Sequence, residues 1–151
     1  MYKLAIVDDN ELYSLSLKHF LKRYFEVTIF TKVSAFLQYP CSYDLVIVDY
    51  SLPCANYEKS IDGCELICQL KAMPNPPLLM LATGFLSKNE LEIGQEICPE
   101  ADGFIAKEMG LDAILQEVEQ LLATRNFQVA RRNSEVGILN SSFPPAFPSS
   151  V

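Results

Sequence analysis

At 151 residues, half of them hydrophobic and 21% charged, the chain is large enough for one domain with a proper core and small for two. A formal charge of −7 weighs against direct nucleic-acid binding, which relies on Lys and Arg to neutralise phosphates; the pair Arg131-Arg132 stands alone and reads as solvated tail. No apolar run approaches the roughly 20 residues that span a bilayer, and two carboxylates at Asp8 and Asp9 come too soon for a secretory signal, so a cytoplasmic protein without membrane insertion is expected.

Strand and helix patterns then alternate along the chain. Lys3–Val7 is a short apolar run that ends in Asp8 and Asp9. Residues 11–24 have helical spacing, with Leu17, Phe20, Leu21 and Tyr24 on one face. Glu26–Phe30 reads as a second strand and 33–38 as a short helix stopped near Pro40. Leu45-Val46-Ile47-Val48 has no polar face, as expected of a central strand covered on both sides, and it ends at Asp49. Asp62-Gly63 opens a helix to about Ala72, closed off by Pro74, Pro76 and Pro77. Residues 78–82 form a fourth strand before Thr83. Ser87 and Glu90 fit a capping box for a fourth helix, weakened by Gly94 inside it. Gly103–Ala106 is a last strand before Lys107, and Leu111, Ile114, Leu115, Val118, Leu121 and Leu122 make a final helical stripe. The domain is expected over 1–124. From 125 to 151 the pattern stops, and Phe143-Pro144-Pro145 and Ser149-Ser150 suggest a tail or linker.

Five strand–helix units with mostly apolar strands predict an open, doubly wound α/β sheet of five parallel strands. The flavodoxin-like order 2-1-3-4-5 is expected, although pattern alone does not write strand order. In such a sheet, function gathers at the carboxyl ends of the strands. Those ends carry Asp8, Asp9, Asp49, Thr83 and Lys107. Each residue alone has an ordinary reading: an aspartate after a strand is often a turn residue, and Asp9 could cap the first helix. Together, three carboxylates repel one another and demand a cation. Oxygen ligands at an open sheet edge suit Mg²⁺, and a divalent ion with one lysine can neutralise a phosphoryl group on the remaining carboxylate.

Five cysteines stand at 41, 54, 64, 68 and 98. Cys64 and Cys68 share a helix face and could begin a metal site, but no second pair or suitably spaced histidine completes one. The cysteines are therefore expected to be small buried hydrophobes in a reducing compartment. His19, inside the first helix, is read as a surface residue.

Over residues 2–124 the chain resembles the receiver domain of response regulators. The resemblance rests on Ile6-Val7-Asp8-Asp9-Asn10, Leu45-Val46-Ile47-Val48-Asp49, Pro53, Asp62-Gly63, Leu81-Ala82-Thr83-Gly84 and Gly103-Phe104-Ile105-Ala106-Lys107, in that order. It implies that Asp49 accepts a phosphoryl group from a sensor histidine kinase or phosphotransfer protein. It implies that Asp8, Asp9, Asp49 and the backbone carbonyl of Ser51 hold Mg²⁺, and that Lys107 pairs first with Asp49 and then with the phosphoryl group. Thr83 and Phe104 would form a two-state switch acting on a downstream target through the face of helix 4, strand 5 and helix 5, with a phosphorylation-linked homodimer compatible.

The chain departs from the family pattern in three places. The stretch from Asp49 to Asp62 is several residues longer, the excess lying within 54–61; Glu108 stands where a cis-proline is usual; and Phe104 stands where Tyr is also common. The expected function is a signalling switch that catalyses only its own phosphorylation and dephosphorylation. The alternatives are a module that works unphosphorylated, the N-terminal part of a DNA-binding regulator, and a Mg²⁺-dependent phosphatase. The last lacks the second carboxylate usual two residues after the nucleophile, where Ser51 stands.

Overall fold

Five short strands rich in aliphatic and β-branched residues pair in parallel: β1 (Lys3–Val7), β2 (Glu26–Phe30), β3 (Leu45–Asp49), β4 (Leu78–Thr83) and β5 (Gly103–Ala106). The computed structural model describes residues 1–52 and 62–139. Pro53, the 54–61 insertion and the Pro-rich end lie outside them. The sheet order is β2-β1-β3-β4-β5, the flavodoxin-like order expected. Every residue of β3 is buried, as its lack of a polar face requires.

Alternation along the strands divides the core in two. Leu4, Ile6, Leu45, Ile47, Met80, Ala82 and Ile105 pack with α1 (Glu11–Leu21) and α5 (Leu111–Leu139) on one face. Ala5, Val7, Val46, Val48, Leu79, Leu81 and Phe104 pack on the other with α2 (Val33–Phe36), α3 (Gly63–Lys71) and the end of α4 (Leu91–Ile97). Successive side chains point to opposite faces, so the two sets follow from sequence parity.

Helix boundaries differ from expectation where local chemistry intervenes. α1 ends at Leu21 and α2 at Phe36, each a turn or less early. At α4 only half of the capping box forms. Glu90 Oε1 accepts from the Ser87 N–H at 3.1 Å and from the Ser87 hydroxyl at 2.9 Å, but the Glu90 N–H donates to the Ser87 backbone carbonyl at 2.9 Å. A 3-10 turn, Lys88–Glu90, therefore precedes α4. α5 runs to Leu139, well past the point where a tail or linker was expected. Extending a formed helix needs no new nucleus. Gln128, Ala130, Arg131, Arg132 and Glu135 favour it, and no proline intervenes before Pro144.

Two glycines are required by close approach. A Cβ on Gly63 would lie 2.2 Å from the Asp49 carbonyl oxygen, and one on Gly94 would lie 2.8 Å from Cδ1 of Phe104. The weak spot that Gly94 makes in α4 is thus the seat of the Phe104 ring. Gly63→Ala meets backbone that cannot rotate away, so it should destabilise the fold by about 2 kcal/mol or more. Chemical denaturation of the two proteins measures this, and an unchanged midpoint would contradict the packing described.

Candidate functional site

The ends of β1, β3, β4 and β5 meet at one edge of the sheet, and strand alternation decides which side chains can touch there. Asp8 and Asp49 continue the parity of Leu4, Ile6 and Ile47, so they lean to the α1/α5 side, and Lys107 follows Ile105 to the same side. Thr83 continues the parity of Leu79 and Leu81, the face that Phe104 also joins. The edge therefore holds a charged group on one side and a hydroxyl with an aromatic ring on the other.

Lys107 Nζ lies 2.8 Å from Asp8 Oδ2 and 3.1 Å from Asp49 Oδ1. Both carboxylates are nearly buried, at 2% and 6% exposure, so neither is relieved by water. Burial, and next the charge of Asp8, push the Asp49 carboxyl up to about 6 against the opposing pull of Lys107. Burial alone would lower the Lys107 ammonium, but its hydrogen bond to Asp8 and the charges of both aspartates outweigh that and raise it. At neutral pH the site holds an ionised Asp49 beside a fully charged lysine.

Asp9 does not cap α1. Asn10 does so, its side chain accepting from the Tyr13 N–H at 3.1 Å, while Asp8 Oδ1 accepts from the Asn10 N–H at 2.9 Å. Asp9 is thereby left exposed at the rim, with a carboxylate oxygen within 4.8 Å of those of Asp8 and Asp49. An all-oxygen set of this kind fits a hard divalent cation such as Mg²⁺. Ser51 is exposed two residues beyond Asp49.

Thr83 is buried, and its Oγ1 accepts from the Phe85 N–H at 3.0 Å, leaving the hydroxyl proton to donate elsewhere. Phe104 is turned inward, 7% exposed, in register with Leu81 and one strand position behind Thr83 on the same face. Beside Thr83 lies an open apolar groove of about 270 Å³ lined by Tyr50, Leu81, Phe85, Leu86, Gly94 and Ile97. The rings of Tyr50 and Phe85 meet edge to face at its mouth, 6.2 Å apart.

Where a cis-proline is usual in the resembling family, the chain after Lys107 is trans and held by a local turn. The Met109 N–H donates to the Ala106 carbonyl at 2.9 Å, and the Met109 sulfur accepts from the Ala106 N–H at 3.3 Å. Sequence reasoning did not single out Tyr13. Its ring lies under Lys107, 4.8 Å from Nζ to centroid, and burial followed by the charges of Asp8 and Asp49 pushes its phenol up to about 12. A Tyr three residues after the cap of α1 carries no motif signal, because only the folded β5–α5 loop brings Lys107 over it.

A carboxyl held above its ordinary value binds its proton more tightly folded than unfolded. The contribution of Asp49 to stability is therefore fully present below about pH 4 and is lost as pH rises through about 6. In metal-free buffer, Asp49→Asn should melt a few degrees higher than the wild type at pH 7, and the gap should close toward pH 4. Thermal melts at a series of pH values check this; a gap independent of pH would refute the assignment.

The comparisons with known proteins bear on the fold and the family. The family model described as the response regulator receiver domain matches residues 4–119. Among solved structures, the chain is similar to the response regulator DrrB, an OmpR/PhoB homolog of Thermotoga maritima, at 24% identity and a TM-score of 0.67, covering 83% of this chain and 54% of that one. It is also similar to a CheY-like receiver domain protein of Methanospirillum hungatei JF-1, at 22% identity and a TM-score of 0.67, covering 85% and 98%. The Francisella response regulator 1452 receiver domain matches at 17% identity and a TM-score of 0.67, covering 83% and 99%. At such identities the structures speak for the fold. No curated protein matches the sequence. With a receiver model spanning most of its length, the receiver strand order and an acidic cluster at the strand ends, the chain belongs to the response regulator receiver domain family.

Proposed function

We propose that the protein is a phosphorylation-driven signalling switch in which Asp49 accepts a phosphoryl group from a phosphohistidine on a sensor kinase or phosphotransfer protein. The observation that carries this reading is the Lys107 ammonium bridging two nearly buried carboxylates while a third, Asp9, is held free of helix capping at the rim. A retired site has no physical reason to keep like charges this close.

In the proposed reaction an Asp49 carboxylate oxygen attacks phosphorus, the P–N bond breaks, and its electron pair leaves with the imidazole. The product is an acyl phosphate that water later hydrolyses to Asp49 and inorganic phosphate. Asp8, Asp9, Asp49 and the Ser51 carbonyl would hold Mg²⁺, which supplies charge neutralisation between these carboxylates and the phosphoryl oxygens. Lys107 would exchange part of its contact with Asp49 for a phosphoryl oxygen. Thr83 would donate its hydroxyl proton to another, and Phe104 would settle behind it. That shift would alter the groove beside α4 and the face made by α4, β5 and α5, which a downstream protein would read.

This reading makes the chain a switch without turnover of an external substrate, acting in the cytoplasm. Among the described residues no helix is long and apolar enough to cross a membrane. Incubation with Mg²⁺ and acetyl phosphate tests the chemistry. The wild type should gain an acid-stable, base-labile acyl phosphate, and Asp49→Ala should gain none. Lys107→Ala should slow the reaction on the order of 100-fold. Label on Asp49→Ala, or none on the wild type, would sink the proposal.

A further inference from the structure

On the α3/α4 side of the sheet the chain brings together a second group of metal-binding side chains, away from the acidic edge. Cys64 and Cys68 lie one helical turn apart on α3 and face the connection between α4 and β5. That connection supplies Glu100. One ligand atom each from Cys64, Cys68 and Glu100 lies within 4.8 Å of the other two. Cys98, the residue that ends α4, is fully buried in the core cluster against which Cys64 packs. The expectation of buried structural cysteines is corrected here: among the described residues Cys98 alone is buried, Cys64 is half-buried, and Cys41 and Cys68 are exposed.

The two segments are held in register by an ion pair outside the cluster and by a contact of Cys64 itself. Lys71, one turn beyond Cys68, binds both carboxylate oxygens of Asp102 at 2.7 and 2.6 Å. Asp102 in turn accepts from the Leu79 N–H at 2.9 Å, and its own N–H donates to the Leu79 carbonyl at 2.8 Å. At the other end, the Cys64 Sγ lies 3.5 Å from the Ile97 carbonyl. The donors therefore sit between two fixed points, so little ordering is left for a ligand to impose.

We propose that Cys64, Cys68 and Glu100 form a binding site for a thiophilic divalent cation, Zn²⁺. Sulfur donors select against Mg²⁺ and Ca²⁺, and a carboxylate beside them favours Zn²⁺ over a purely soft ion. Three donors of these types supply three corners of the tetrahedral set that Zn²⁺ prefers, and water can take the fourth. Two come from α3 and one from the connection that follows α4, so the ion would clamp that connection to α3. It would hold α4, where Gly94 seats the Phe104 ring, against the helix whose first residue packs on Asp49.

The test is titration of the reduced full chain with Co²⁺ in saturating Mg²⁺. The wild type should develop a thiolate-to-cobalt charge-transfer band and tetrahedral d–d bands, saturating at one equivalent and bleached by Zn²⁺. Zn²⁺ should also raise the melting temperature. Cys68→Ser, at an exposed position where folding is not at stake, and Glu100→Gln should each weaken binding by about tenfold or more. Cys41→Ser and Asp9→Asn should leave it unchanged, the latter separating this site from the acidic edge. Absence of the charge-transfer band in wild type, its survival at full affinity in Cys68→Ser, or its loss in Asp9→Asn would each overturn the proposal.

Discussion

The ammonium of Lys107, set between Asp8 and Asp49, is the interaction on which the site depends. Two carboxylates so close together and so nearly dry are unfavourable by themselves, as the upward shift of Asp49 records. The lysine offsets enough of that cost for Asp49 to remain ionised near neutrality. Its position follows from the fold: the backbone N–H of Lys107 is bonded to the Thr83 carbonyl at 2.8 Å, the Ala106–Met109 turn redirects the chain, and the ring of Tyr13 supports the charge from α1.

A second constraint is the two-residue period of the strands. It sends Asp8, Asp49 and Lys107 toward α1 and α5, and sends Thr83 and Phe104 toward α4. The charged chemistry and the group that could respond to it are thus on opposite sides of one sheet edge, joined only through neighbouring strands. In the proposed switch, a change at Asp49 would reach α4 through the Thr83 hydroxyl at that edge, because the hydrophobic strands beneath are closely packed. The same geometry explains why α4 tolerates a glycine in its interior: the ring of Phe104 occupies the space that a side chain would need.

Much of this was legible in the sequence, and the misses share a cause. The five strands and the residues at their ends follow from apolar runs stopped by Asp, Thr or Lys, since a strand buried on both faces leaves little room for anything else. The chain beyond Arg125 carries no apolar stripe, yet its backbone stays helical to Leu139 because propagation depends on propensity and an existing helix, not on a packed face. Ser87 and Glu90 have the spacing of a capping box, but spacing does not say which way a hydroxyl points its proton. Glu100 beside Cys64 and Cys68 was missed because it lies some thirty residues away, with no ligand spacing of its own.

The sequence by itself determined the sheet, its polarity and the inventory of charged and hydroxyl groups at the carboxyl ends of its strands, because strand burial and strand termination are local properties of the chain. Only the tertiary structure decided which of those groups touch. It set Lys107 between Asp8 and Asp49, released Asp9 from capping by giving that task to Asn10, placed Tyr13 under the lysine, and brought α3 against the end of α4. These are contacts between residues far apart in the chain or between side chains competing for one role. They are set by packing and electrostatics of the whole domain, which no local pattern encodes.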